Sequence, residues 1–318
     1  VQISLATCCV PFLCLAIPLH FEFKAVPRAA AFWLFALVSS PQSCLHDALA
    51  RAACQQDADR WGRARVYGAI SWSAMHLLLG PLMDAAGFNV MFVSFLISDG
   101  VLFLVTHVTT PQACGKVRKE VTRKAIMDIF VRNRLFFINL SVVGAGFSMV
   151  EGMLFLLLNQ MHATTQLCGL TVVFTVIFEL PIFYYAKTLI ARLGTKRMIV
   201  LGQMALVTRA AVYANMTEAW IALFIEPLHG VTFALVWAAG THHVAEPQVS
   251  GEGLEASAQG LLQVCFSGIG PIIGLWVGGQ IFERVSSRAV YGIFASVNLA
   301  MGLVYAVWGK NQTVRARG

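Results

Sequence analysis

Residues 135–158 read LFFINLSVVGAGFSMVEGMLFLLL. A single carboxylate, Glu151, interrupts a run that is otherwise apolar, small or neutral. At about 1.5 Å of rise per residue, a helix of this length covers the roughly 30 Å hydrocarbon core of a bilayer. The run is continuous rather than alternating, which fits a membrane helix and not a barrel strand. Nine further runs of this kind stand at 1–20, 29–50, 65–84, 88–109, 167–190, 198–215, 219–241, 256–282 and 289–309. Only 12% of the 318 residues are charged and 58% are hydrophobic. A water-soluble domain carries about a quarter charged residues, so the composition excludes an ordinary soluble enzyme. Disorder needs the opposite balance. The expected class is an all-α, polytopic membrane protein of about ten spans.

The net charge of +7 does not point to nucleic acid, because Lys and Arg cluster in short connectors and avoid the apolar runs. Seventeen of the 23 basic residues fall on one side if connectors alternate across the bilayer, with Arg65 counted at a span edge. Four fall on the other side, and Lys187 and Arg209 lie within spans. The positive-inside rule makes the richer side cytoplasmic. Its longest connector, 110–134, holds Val121, Ala125, Ile126, Ile129 and Phe130 as an apolar stripe among basic residues. That pattern reads as a helix lying at the membrane surface, with a solvated linker as the alternative. The eight cysteines are scattered without a C-x-x-C spacing, so neither a disulfide framework nor a zinc site is expected.

The last four spans repeat the first four: 29–50 and 219–241 are offset by 190 residues, 65–84 and 256–282 by 191. On this register 135–158 and 167–190 have no counterparts, and two helices are expected before residue 1. Several short segments then resemble the major facilitator superfamily. They are Glu179-Leu180-Pro181-Ile182-Phe183, Arg192-Leu193-Gly194-Thr195-Lys196-Arg197, Thr208-Arg209, Glu226-Pro227-Leu228-His229-Gly230, Trp237-Ala238-Ala239 and Ala258-Gln259-Gly260-Leu261. Asp47-Ala48 and Tyr67-Gly68-Ala69 fit the N-terminal half. The branch most similar contains major facilitator superfamily domain-containing protein 6, with lactose permease and nucleoside–proton symporters as relatives. The resemblance implies a twelve-helix fold of two six-helix halves. Residues 1–109 would then be a partial N-terminal half of four spans lacking its first two helices. Residues 110–134 would be a basic cytoplasmic central loop, 135–309 a complete C-terminal half, and 310–318 a cytoplasmic tail. A chain so truncated is expected to insert without transporting, because the family's site lies between the halves.

Ionisable groups inside spans are costly and invite a functional reason. Glu151, Glu179, Arg209, Glu226 and His229 are of this kind. Counted along their helices, Glu151, Arg209 and Glu226 share a depth, and Glu179 lies near the midplane. Three carboxylates against one guanidinium, which keeps its proton, leave at least one acid available for proton coupling. A structural network locking the helices is the alternative. For the substrate cavity the candidates are Phe233 and Trp237, in register with Glu226 and His229. Phe155 and Asn159, in register with Glu151, are a second stripe, and Asp47 resembles the family's acidic position. Aromatic faces beside carboxylates and amides suit sugars, nucleosides or small cations, although packing produces the same spacing. Gly270, Gly274 and Gly278 repeat every four residues and read as a helix-packing face. His242-His243-x-x-Glu246, read as part of a loop, is not taken as a metal site, and no cofactor is expected. The function implied is secondary transport of a small polar solute, coupled to protons as a symporter, by a monomer. A receptor or scaffold retaining the fold is the alternative.

Overall fold

The computed structural model describes residues 58–87, 89–109 and 122–309, with the isolated positions 50 and 54. The chain divides into two compact units, Val1–Gln56 with Ala74–Arg118, and Asp57–Ser73 with Lys119–Gly318. Helix α1 (Ala58–Ala86) contributes its first part to the second unit and its remainder, with α2 (Asn89–Thr109), to the first. Gly87 separates the two helices at φ 79, a left-handed conformation that glycine adopts without strain.

The second unit is an assembly of helices. In order they are α3 (Arg123–Arg132), α4 (Arg134–Gln160), α5 (Thr165–Tyr184), α6 (Ala186–Leu193) and α7 (Thr195–Asn215). Then come α8 (Ile221–Ile225), α9 (Pro227–Ala245), α10 (Pro247–Ser250) and α11 (Glu255–Gln263). A π-helical segment, Val264–Ile269, runs on into α12 (Gly270–Arg284), and α13 (Ser287–Trp308) closes the series. Helix α7 is central, packing against both α9 and α13, while α5 packs on α9 and α12 on α4.

Eight stretches among the described residues are long and apolar enough to cross a membrane, and the protein is an integral, multi-pass membrane protein. Their bounds run from Arg63–Met83 and Asn89–Val108 through Arg134–Gln160 to Ser287–Trp308. The expected runs at 1–20 and 29–50 lie outside the described residues, as does Val121. Three expected spans differ in detail. The run 167–190 stops at Tyr184, and residues 186–193 form the separate helix α6. Its sequence AKTLIARL buries Ala186 and Ile190 and exposes Lys187 and Arg192, a one-sided pattern suited to a surface rather than a bilayer core. The run 219–241 is broken at Glu226, because Pro227 lacks the N–H that would carry the helix through. The run 256–282 widens into the π segment at its centre.

The apolar stripe of the basic connector does form a helix. Thr122 caps α3, its hydroxyl accepting from the Ala125 N–H. The helix is held against the bundle: Ile129 is fully buried, Phe130 stacks on Phe137, and the Asn133 amide donates to the Val249 carbonyl.

Helices α4 and α12 meet backbone to backbone. A Cβ added to Gly274 would lie 2.1 Å from the Ala145 carbonyl oxygen, and one on Gly270 would lie 2.8 Å from that of Ser141. On Gly278 it would meet the Met149 side chain at 2.7 Å. Across the same seam, a Cβ on Gly144 would fall 2.1 Å from the Phe266 carbonyl oxygen in the π segment. The seam exists because these positions lack side chains. Gly274→Ala should therefore destabilise the bundle by about 1–3 kcal/mol, the usual range for overpacking. Gly279→Ala, whose new methyl would meet nothing within 4 Å, should leave the melting temperature in detergent unchanged or slightly raised. Equal melting temperatures for Gly274→Ala and wild type would rule out the close seam.

Candidate functional site

Glu226 sits at the break between α8 and α9, and the break turns its carboxylate inward to a buried position. Four groups from two other helices meet it. Arg209 of α7 donates from Nε (3.1 Å) and from Nη2 (2.7 Å) to Oε1. Tyr213, one turn further along α7, donates its hydroxyl to the same oxygen. Thr175 of α5 donates to Oε2 at 2.9 Å. Arg209 is 0% exposed and its guanidinium also lies over the Tyr213 ring, 5.5 Å from the centroid. These charge-assisted bonds offset much of the pair's desolvation, while Arg209 Nη1 has no hydrogen-bond partner among the described residues. The His229 Nδ1 stands 3.8 Å from Oε2, at the next turn of α9.

Small residues let the three helices come this close. A Cβ on Gly230 would lie 2.2 Å from the Thr175 carbonyl oxygen and 2.9 Å from the Glu179 nitrogen. On α7, a Cβ on Gly202 would lie 3.1 Å from the Thr232 carbonyl oxygen. Glu179 therefore sits across Gly230, one turn of α5 beyond Thr175 and the Glu226 carboxylate. It is half-buried, and the cation whose field reaches it is Arg65 of α1.

A chain of aromatic rings continues from His229. Its imidazole packs on Phe147 at 4.7 Å between centroids, and Phe147 stacks with Phe233 at 5.9 Å. Phe233 stacks in turn with Trp237 at 5.9 Å and meets Phe183 edge-on at 6.0 Å. Phe266, carried by the π segment, touches Phe147 and Trp237. The Arg65 guanidinium lies over the rings of Trp61, Phe183 and Trp237 at 5.6–5.9 Å, all cation–π distances.

Sequence reading placed Glu226, His229, Phe233 and Trp237 on one stripe, and they do line one continuous cluster. Of the carboxylates whose depth made an ion-pair cluster around Arg209 possible, Glu226 is the one that receives both bonding nitrogens of the guanidinium. Glu151, Phe155 and Asn159 share an exposed side of α4. Asp47 lies outside the described residues. His242 and His243 lie in the last turn of α9 rather than in a loop, and Glu246, in extended conformation, caps the helix after Ala245. The His242 Nδ1 is 3.5 Å from Glu246 Oε1, while the His243 ring packs away on Phe136. Burial pushes the Glu246 carboxyl up from its ordinary value. Arg65, Tyr213, Thr175 and Phe147 were not singled out from sequence. Tyr213 is one turn from Arg209 and Thr175 one turn from Glu179, a spacing that marks both. Arg65 had been counted with the charges at a span edge.

Arg209→Ala leaves a buried carboxylate without its cation and should destabilise the protein by about 3–5 kcal/mol. The apolar double replacement Arg209→Met with Glu226→Leu should recover most of that loss, as read by thermal melting in detergent. A double variant no more stable than Arg209→Ala would mean that the charges themselves are not the source of the loss.

The profile of the MFS_1 like family matches residues 1–293. The chain is similar to the uncharacterized transporter YwbF of Bacillus subtilis, with 24% identity over 84% of this chain and 66% of the relative. It is similar to the maltose permease of Geobacillus stearothermophilus, with 23% identity over 88% of this chain and 71% of that one. A third relative is major facilitator superfamily domain-containing protein 6-like protein B of Xenopus laevis, 24% identical over 73% of this chain. The chain spans 66% of the length of YwbF and 40% of the Xenopus protein. Its fold is similar to the crystal structure of a mutant of the nucleoside transporter NupG, with a TM-score of 0.72 over 97% of this chain and 83% of the other, at 17% identity. Matched over nearly its whole length, the chain belongs to the MFS_1 like family, within the major facilitator superfamily.

Proposed function

We propose that the protein containing this chain is a secondary active transporter that moves a small polar solute across a membrane together with protons. The observation that carries this reading is the unequal partnering of two acids along one helix seam. Glu226 is held by a guanidinium, a phenol and a threonine hydroxyl, which suits a fixed charge. Glu179, half-buried across Gly230, has no hydrogen-bond or ion-pair partner among the described residues, and the charge that reaches it is that of Arg65. An acid so placed is suited to gaining and losing a proton as access alternates.

The substrate class follows from the rings. Phe233, Trp237, Phe183 and Trp61 form a largely buried aromatic cluster with the Arg65 guanidinium over three of its members, and such rings, where a cavity opens on them, suit stacking on a sugar or nucleoside ring. The names of two similar proteins, a maltose permease and a nucleoside transporter, support the same class.

Glu179→Gln should abolish uphill, proton-driven accumulation while sparing substrate exchange, because exchange needs no net proton movement. Proteoliposomes of the whole protein, assayed with a panel of sugars and nucleosides with and without a pH gradient, separate the two modes. Uphill uptake retained by Glu179→Gln would transfer the proton to another group and sink this assignment.

A further inference from the structure

A cavity of about 380 Å³ lies at the basic end of the second unit, apart from the aromatic cluster. Its polar lining comes from Arg132, Asn133, Arg134, His243, Tyr305 and Trp308. These residues come from the end of α3, the start of α4, the end of α9 and the end of α13. None of the residues lining it is acidic. The Arg132 Nε donates to the Asp128 carbonyl at 3.2 Å, and neither arginine has a carboxylate within ion-pair distance among the described residues. His243 is 4% exposed, yet its Nδ1 has no hydrogen-bond partner among the described residues. Two guanidiniums and a buried, unpartnered imidazole around one space form a recess for a doubly bonded oxyanion.

The surroundings say which oxyanion. Arg134 begins one spanning helix and Trp308 ends another, so the recess lies at a membrane boundary. Trp308 is 70% exposed, as an interfacial tryptophan would be. Above it on α13, Leu303, Val304 and Val307 are exposed and continue an apolar track along the span. A free phosphate would use the arginines and leave that track idle. An acyl chain attached to the phosphate would cover it. The residues that follow, 310–318, bring Lys310, Arg315 and Arg317 with no acidic side chain, so charge disfavours them as occupants.

We infer that this recess is a binding site for the phosphate headgroup of an anionic phospholipid, gripped by Arg132, Arg134 and His243, with its acyl chains along α13. The site is separate from the transport reading and stands or falls without it.

The test uses whole protein in phosphatidylcholine vesicles titrated with phosphatidylglycerol brominated on its acyl chains, which quenches nearby tryptophan. A component of the quenching should saturate at low phosphatidylglycerol content, and that component should be lost on Trp308→Phe while quenching of the other exposed tryptophans, Trp72, Trp220 and Trp276, remains. A basic residue near a lipid surface contributes about fivefold, so Arg132→Gln with Arg134→Gln should raise the half-saturating phosphatidylglycerol content about 25-fold. Arg123→Gln with Lys124→Gln, on the same helix but outside the recess, should change it far less. Both arginine positions are exposed, so the variants should fold, with unchanged melting temperature as the check. Equal losses from the two double variants would reduce the effect to diffuse surface charge and overturn the site. So would equal quenching by brominated phosphatidylcholine. Displacement of phosphatidylglycerol by inorganic phosphate at comparable concentration would also overturn it, in favour of a free-phosphate site.

Discussion

The arrangement of the C-terminal helices depends on one constraint, the burial of Arg209 in an apolar bundle. An arginine cannot shed its proton to escape the cost of desolvation, so an anion must come to it. Glu226 meets it from the junction of α8 and α9, where Pro227 interrupts the helical hydrogen bonding while Glu226 keeps helical backbone angles. Once the carboxylate is there, its remaining lone pairs need donors, and Tyr213 and Thr175 supply them. Three helices thus converge on two charges. Glycine at 202 and 230 is what the convergence demands, because a methyl at either place would meet a neighbouring helix.

A second seam, between α4 and α12, follows different physics. Gly144, Gly270 and Gly274 bring backbones into contact, and dispersion replaces hydrogen bonding as the attraction. The π segment joins the two regions. Its carbonyl at Phe266 rests in the space left by Gly144, and its ring meets Phe147 and Trp237. The wider turn of a π-helix changes which residues face the bundle over a short distance. A close-packed seam on one side and an aromatic cluster on the other are thereby served by one continuous helical stretch.

How much of this was legible in the sequence varied with the physics involved. Spans were legible, because a bilayer demands length and apolarity, and both are local properties of a run such as 135–158. The stripe from Glu226 to Trp237 was legible as well, since helical spacing puts its members on one face. The partner of Arg209 was not. Glu151 and Glu226 were equivalent by depth, and only packing separates them: Glu226 is brought to the guanidinium, whereas Glu151 lies on the exposed side of α4. Arg65 was hidden for a related reason. Its position near the start of a span reads as a topology charge, and cation–π contact depends on rings more than a hundred residues away. The π segment leaves no compositional mark in VCFSGI, and its close approach to Gly144 is a contact between residues more than a hundred positions apart.

The contrast between the two acids of the α5–α9 seam bears on what a moving carrier requires. A pair such as Arg209 and Glu226 is stable only while both charges and their donors stay together, since separating them in low dielectric costs several kcal/mol. Such a pair belongs on a part of the protein that moves as a rigid piece, and α5, α7 and α9 pack as one. Glu179 lies on the same rigid piece, only one turn from Thr175. It faces Arg65 and the aromatic rings instead of a tight cage of donors. A group whose surroundings include a cation on another helix changes its electrostatic environment when that helix shifts. Glu226 does not, because everything that holds it comes from α5 and α7. On the proposed transport reading, the fixed pair is the anchor and Glu179 the acid whose surroundings change, while the helices around them keep their packing.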